Sequence, residues 1–380
     1  MEESIYKQHT RVKRLQSLDA LRGFDMFWII SGEGIFHGLK EATCVQPFTG
    51  ISDQLHHSVW NGFTFYDLIF PLFIFIAGVS MPYSLGRQLE TTGANRLVVK
   101  RRIYLSLAKR TVILILLGMM VNGALQFMGY YDTRFASVLG RIALSCFFAA
   151  LIFINSNVRG QVTWLIALLL GYWTAMMLIP VPGHGAGVLT PEGNLSAYID
   201  RQLLPGKLHR KVYDPEGLFS TIPAIGTALL GVLTGQFLRN ERYQGVRKVL
   251  VMSLAAFALL LAGLLWSMVF PINKTMWTSS FVLYAGGWSL LLFALFYWII
   301  DVRGFKVWSM PFVWIGMNSI LIYVAAHGLV NFEYMSDFIF GGLYRKTPEV
   351  WHKPLMWMGV ALIQIGLLYF LYRKKWFLKI

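Results

Sequence analysis

The chain alternates long apolar stretches with short polar ones. The stretches fall at 16–36, 63–86, 103–127, 136–155, 161–181, 218–238, 248–270, 278–300, 307–331 and 355–373. Each has close to the about 20 residues that a helix needs to cross a hydrocarbon core of roughly 30 Å. The dyad alternation of an outer-membrane barrel is absent. The pattern predicts an all-α fold, a polytopic helical membrane protein with about ten transmembrane helices. We read 1–380 as a single transmembrane domain, with 1–15 as an N-terminal segment and 182–217 as the longest loop. The first apolar stretch carries charges and is followed by no small-residue cleavage site, so it is not read as a cleavable signal.

Composition sharpens this picture. Hydrophobic residues make up 56% and charged residues 14% of the chain, with a mean hydropathy of +0.54. Soluble domains average about 25% charged residues, so this chain cannot cover a globule in water. The formal charge of +15 is concentrated in alternate loops: Lys7 to Arg14, Arg87 to Arg102, Arg239 to Lys248, Arg303 to Lys306 and Arg373 to Lys379. That is a positive-inside distribution. It predicts a plasma or inner-membrane protein with both termini cytoplasmic and 182–217 outside. The excess charge then faces anionic lipid headgroups, and nucleic acid is not expected as a partner. Cys44 and Cys146, one in a loop and one in a span, supply neither a disulfide framework nor a thiolate site, and no metal is expected.

Topology gathers polar residues at the outer leaflet: His57 before the second span, Glu33 late in the first, Asn122 closing the third, Arg141 opening the fourth and His327 late in the ninth. On a helical wheel Arg22, Asp25 and Glu33 share one face, within roughly 80° of one another. Charges at the bilayer centre are expensive. Arg22 and Asp25, at i,i+3, are expected to pair, and Glu33, with no local cation, reads as a site residue. Asn61 is the expected N-cap of the second helix. Asp67 lies about a turn and a half further in, above a backbone disrupted by Pro71, which suits a cavity lining. Lys109 can snorkel to the inner surface. Arg110 and Arg141 lie in spans without carboxylates, and a guanidinium suits an anionic, phosphate-bearing ligand. No Walker loop, dinucleotide fingerprint, zinc-binding helix or nucleophile elbow is present.

Leu15-Gln16-Ser17-Leu18-Asp19-Ala20-Leu21-Arg22-Gly23-Phe24-Asp25, the run His57-Ser58-Val59-Trp60-Asn61-Gly62 and Asp67-Leu68-Ile69-Phe70-Pro71 resemble the transmembrane acyltransferases typified by heparan-alpha-glucosaminide N-acetyltransferase. So do Asp214-Pro215-Glu216-Gly217, Pro271-Ile272-Asn273-Lys274 with Trp277, and Asn318-Ser319-Ile320-Leu321, in consistent order along nearly the whole chain. The resemblance implies acetyl transfer from cytoplasmic acetyl-CoA to the amine of a terminal glucosamine across the membrane, and it matches His57 to the catalytic histidine. One departure is Glu33, where the lysosomal enzyme carries an asparagine.

On that basis His57 takes the amine proton, oriented by Glu33 or Asp67; a positioned base contributes about 10²–10⁴-fold. An acetyl-imidazole intermediate would use the same residue. Asp25, Trp60, Asn61, Asp214 and His327 are the candidate acceptor contacts, and Asn61 and Asn122 the candidate oxyanion donors. Arg110, Arg141, Asn122, Lys109, Asn318 and Ser319 are the candidates for holding acetyl-CoA. The breaker-rich loop 182–217 is expected to fold over the outer opening, with Asp214 reaching the site and His184 and His209 solvated. The expected partners are an amino-sugar or glycan acceptor and membrane lipid, and a homodimer is compatible with a chain of this size. Two other readings fit the embedded carboxylates: an O-acyltransferase acting on a surface glycan or lipid, and a proton-coupled small-solute transporter, although no internal repeat is visible.

Overall fold

The computed structural model describes residues 15–90, 96–127 and 129–378. The basic cluster Lys7 to Arg14, with it nearly all of the 1–15 segment, and Lys379 lie outside the described residues. The chain opens with α1 (Gln16–Phe27), which passes through a π-helical turn (Trp28–Gly32) into α2 (Glu33–Thr43), and the short α3 (Gln46–Gln54) follows. Next come α4 (Phe65–Glu90), α5 (Arg96–Val121), α6 (Val138–Asn155) and α7 (Val158–Leu178), and the segment after α7 carries the short α8 (Leu195–Leu203). Helices α9 (Thr221–Arg239), α10 (Val246–Ser267) and α11 (Ser279–Phe296) precede the short α12 (Met310–Met317) and α13 (Ser319–Val324). The last two, with the turns that flank them, form a pair bent by 66°. A π-helical turn (Ala325–Leu329) then leads to α14 (Phe332–Tyr344) and α15 (His352–Arg373). Among the described residues the only extended pairings are two isolated bridges, Arg134 with Gly206 and Val181 with Gly185.

Eight of the described helices are long and apolar enough to cross a membrane, or nine if the bent pair is one span. The protein is an all-α polytopic membrane protein, as the apolar periodicity predicts. The shortfall from ten lies at α1–α2, where Asp19, Arg22, Asp25, Glu33 and Lys40 make the stretch too charged to qualify by hydropathy.

Helices α4 and α9 are innermost, with 72% and 78% of their most apolar stretches buried, against 17% for α5 and 22% for α10. Lipid tails are as apolar as leucine, so close packing rather than water exclusion must hold the inner helices together. Small residues provide it. A methyl at Gly231 would sit 2.1 Å from the Phe75 carbonyl oxygen, one at Gly235 2.4 Å from that of Val79, and one at Gly78 2.2 Å from that of Ala228. Helices α1 and α12 meet the same way, with Gly23 against the Phe312 carbonyl and Gly316 against that of Asp19.

The expected ion pair between Arg22 and Asp25 does not form. Helix side chains lean towards the N-terminus, and Arg22 accordingly lies 4.0 Å from Asp19 while donating to Ser80 Oγ of α4 at 3.0 Å. Asp25 is 1% exposed, and neither of its carboxylate oxygens has a hydrogen-bond partner.

Because the clash at Gly231 is with backbone, Gly231→Leu is expected to cost at least the about 1–3 kcal/mol of ordinary overpacking. It should lower the temperature at which the detergent-solubilised protein aggregates. Gly171→Ala, on α7 with open space around the added methyl, should leave that temperature unchanged.

Candidate active site

The site is organised by one carboxylate in the first turn of α4. Asp67 is 1% exposed at its side chain. Its Oδ2 accepts the backbone N–H of Ser58 at 3.1 Å, that of Thr64 at 3.2 Å and the Thr64 hydroxyl at 3.2 Å. Thr64 is therefore the residue at the helix start, with Asp67 three positions on reaching back to its N–H as in a capping box. Asn61, the expected N-cap, does not cap α4. Its side-chain oxygen instead accepts from Asn273 Nδ2 at 3.1 Å.

Asp67 Oδ1 faces His57 Nδ1 at 2.9 Å and Lys274 Nζ at 3.6 Å. A carboxylate only accepts, so this contact places the neutral imidazole's proton on Nδ1 and makes Nε2 the unprotonated nitrogen. The His57 side chain is 53% exposed and lines a cavity of about 370 Å³. Lys274 Nζ lies 3.0 Å from His57 Nδ1 and 3.4 Å from Nε2. Burial holds this lysine below its ordinary value, and Asp67 opposes the shift.

Lys274 reaches the site on the loop between α10 and α11, which is clamped to the histidine loop. Asn273 Nδ2 donates to the Trp60 carbonyl at 2.8 Å, and the Gly62 N–H donates to the Ile272 carbonyl at 2.9 Å. Gly62, at φ +128°, supplies a backbone conformation that side chains resist. Trp60 is structural here. Its Nε1 donates to the Leu189 carbonyl at 2.9 Å, and its ring meets Tyr213 edge-on.

Segment 182–217 packs over the mouth. Arg134 donates through Nε to Asp214 Oδ2 at 2.9 Å and through Nη2 to Asp214 Oδ1 at 2.5 Å, and it also bonds Glu216. Burial works to raise the Asp214 carboxyl, but Arg134 and two backbone amides bring it below its ordinary value. Asp214 thus fixes Arg134 and does not itself line the cavity, whereas Arg134, Glu216, Tyr213 and His209 do. His209, expected in solvent, is partly enclosed, and burial beside Arg134 lowers its pKa. Gly206, at φ +71°, lets the segment lie 2.2 Å (as an added methyl) from the Thr133 carbonyl.

Two further cavities lie below the first along α4. A narrow one of about 40 Å³ shares Ile29, Phe70, Val138 and Tyr323 with the histidine cavity. It shares Phe73, Leu139, Ile142 and Ile320 with a third cavity of about 140 Å³, where Arg22, Arg110, Ser80, Ser84 and Ser319 converge. A histidine chamber, an apolar neck and a cationic chamber are thus stacked through the bundle.

Not every expected site residue joins them. Glu33 does not orient His57; it accepts from the Tyr66 hydroxyl and lies 3.4 Å from His37 Nε2. Tyr66 stands against the His57 ring, 4.8 Å between centroids, so Glu33 acts at one remove. His327 lines the histidine cavity. Asp25 does not line it. Asn122 turns away, donating to the Ala136 carbonyl at 2.6 Å. Lys109 is exposed on α5. Asn318 ties the break between α12 and α13 to the C-terminal segment through Trp376 and Leu378.

Arg141 is 2% exposed, does not line the histidine cavity, and leaves its Nε and Nη1 without a hydrogen-bond partner. Its Nη2 donates to the Gly217 carbonyl at 2.9 Å and bonds Ser220, and its guanidinium lies 5.0 Å from the centre of the Trp277 ring. Carbonyl, hydroxyl and indole face are the partners. Among residues without an expected role, Lys274, Arg134, Glu216, Tyr66, Tyr213 and Tyr323 all line the site. Only Lys274 and Glu216 stood in a conspicuous motif.

Residues 14–264 match the model of the heparan-alpha-glucosaminide N-acetyltransferase catalytic region. The chain is 30% identical to heparan-alpha-glucosaminide N-acetyltransferase of Mus musculus, over 99% of this chain and 62% of that protein. It is 28% identical to the Homo sapiens protein of the same name, over 97% of this chain and 60% of that protein. The chain therefore spans less than two thirds of the length of these relatives. With the match covering most of the chain, including the residues around His57 and Asp67, the protein belongs to the heparan-alpha-glucosaminide N-acetyltransferase family.

Proposed function

We propose that this chain is a single catalytic unit that moves an acetyl group from acetyl-CoA to the amine of a glucosamine-type sugar. The observation that carries the reading is the stack of cavities: a cationic chamber and a His–Asp–Lys chamber joined by an apolar neck. The phosphates of acetyl-CoA suit Arg22 and Arg110, since guanidinium–phosphate contacts are strong and directional. Its thin acyl-bearing arm suits the neck, which would not pass a sugar. The cationic chamber lies towards the end of α4 that carries Arg87, which the positive-inside distribution assigns to the cytoplasm. The acceptor then arrives from the opposite side, beneath 182–217, at a plasma or inner membrane.

The chemistry uses residues already in contact. The amine lone pair attacks the thioester carbonyl carbon as His57 Nε2 takes a proton from nitrogen. Asp67, accepting from Nδ1, stabilises the imidazolium that forms. The tetrahedral intermediate collapses with cleavage of the C–S bond, and the imidazolium returns its proton to the departing sulfur. Lys274 Nζ, 3.6 Å from Asp67 Oδ1, helps hold the carboxylate that orients the ring.

His57→Ala should lower kcat for acetyl transfer to glucosamine by about 10²–10⁴-fold with an unchanged size-exclusion profile. A rate equal to wild type would remove His57 from the chemistry. Lys274→Met removes the ammonium that shares Asp67 Oδ1 with the imidazole, so kcat for acetyl transfer should fall by about tenfold with an unchanged size-exclusion profile, and a wild-type kcat would separate Lys274 from the base. Arg110→Ala should raise KM for acetyl-CoA while leaving KM for the sugar unchanged; equal changes in both would contradict the cationic chamber as the acetyl-CoA site.

A further inference from the structure

A cavity of about 470 Å³ adjoins the histidine chamber, and His327 lines both. It opens where the turn Ala325–Leu329 ends and α14 begins, beside the middle of α15. Non-helical backbone within a bundle of membrane helices is tolerated where it lines a polar cavity. The lining suits a hydrogen-bonding ligand with an apolar face: Asn331, Glu333 and Gln364 share it with the indole of Trp357. Gln364 is 1% exposed; its Nε2 reaches the Ile30 carbonyl only at 3.4 Å, and its Oε1 has no hydrogen-bond partner. A buried acceptor left unpaired costs about 1–3 kcal/mol, which a ligand hydroxyl or amine would recover.

Resting on the acetyltransferase reading, we propose that this second cavity holds the sugar unit glycosidically attached to the glucosamine being acetylated, and that this unit is neutral or carries an amine. Hydroxyls in a ring, with an apolar face for Trp357 and donors for Gln364 and Glu333, match the lining. Charge sets the selectivity. Among the described residues that line the cavity there is one carboxylate, Glu333, and no lysine or arginine. A uronic acid or a sulfated sugar would bring a second negative charge beside Glu333 with no cation to offset it. An amino sugar would instead gain a charge-assisted hydrogen bond. The physiological acceptor is therefore an oligosaccharide without acidic groups next to its terminal glucosamine, and free glucosamine is an incomplete substrate.

The test compares kcat/KM of the full-length protein, with acetyl-CoA, on four acceptors: glucosamine, α1,4- and β1,4-linked di-glucosamine, and glucosamine α1,4-linked to a uronic acid. One di-glucosamine should exceed glucosamine by about tenfold, the worth of one charge-assisted hydrogen bond. The uronic-acid disaccharide should not exceed it. Gln364→Leu should reduce the advantage of di-glucosamine several-fold and leave glucosamine itself unchanged, which also reports that the variant is folded. Glu333→Gln should lower kcat/KM for di-glucosamine and raise it for the uronic-acid disaccharide. Equal kcat/KM for glucosamine and both di-glucosamines in the wild type would overturn the subsite alone. So would a Gln364→Leu variant that slows every acceptor alike. Absence of His57-dependent transfer to any amino sugar would overturn the acetyltransferase reading as well.

Discussion

Everything at the mouth of this bundle depends on the burial of the Asp67 carboxylate. A charge moved out of water costs several kcal/mol unless its lone pairs are met. Here they are met by two backbone amides and a hydroxyl on one oxygen and by an imidazole and an ammonium on the other. Each donor belongs to a segment with no helical register of its own. The loop 55–64 cannot shift without stripping the Ser58 and Thr64 N–H groups from Oδ2. The loop between α10 and α11 cannot shift without withdrawing Lys274. One carboxylate at the head of α4, one of the two innermost helices, therefore fixes two loops and the imidazole between them. His57 is left half exposed on a rigid mount, the condition a proton-transfer residue needs.

The same helix explains how the rest of the passage is built. Its inner face meets α9 through glycines that bring the two backbones into contact, so no side chains fill that seam. The space is left on the opposite side, between α4, α1, α5, α6 and α13, where the neck and the cationic chamber lie. Arg22 reaches that chamber only because it leans away from Asp25 and across to Ser80. Below the mouth, Arg141 braces Trp277 through its ring face. Trp277 has φ +52° and donates to Thr227, so the floor of the histidine chamber is a locked indole rather than a mobile side chain.

Much of this was legible in the chain. Long apolar runs and alternating basic loops are local signals, and they give the helices to within a few residues. His57 and Asp67 stand ten positions apart with a helix start between them, so their pairing needs one turn of geometry. The capping pattern Thr64-x-x-Asp67 was also there to be read, three residues beyond Asn61, and it outranks a lone asparagine. Lys274 lies 217 positions from His57, and Arg134 lies 80 from Asp214; no spacing rule joins them. For Arg141 only carboxylates were counted as partners, and the sequence could not show that one carbonyl, one hydroxyl and an indole face meet part of its guanidinium. Asn122 was marked by its place at a span end, and Asn318 and Trp60 by the motifs they stand in; all three make hydrogen bonds that tie loops.

The separation of the two polar chambers follows from what the proposed reaction must keep apart. Acetyl-CoA carries phosphates whose desolvation is too expensive to allow passage through an apolar neck. The sugar's ammonium sheds one proton to the outer solvent, and the free amine that remains loses a second proton as it attacks. Along α4, Asp67 and Ser80 are about 20 Å apart at 1.5 Å per residue, and Phe70 and Phe73 line the passage between them. Among the described residues that line the neck the only hydroxyl is that of Tyr323, too little to support a chain of water that could carry protons between compartments. The proton removed from the amine must therefore be handled where it is released, by His57. It must be returned to sulfur in the same chamber, so the thioester has to reach the imidazole while its phosphates stay behind. An enzyme working across a bilayer has to bring the reacting bond to the base without opening a leak, and an apolar neck between Arg110 and His57 meets both demands.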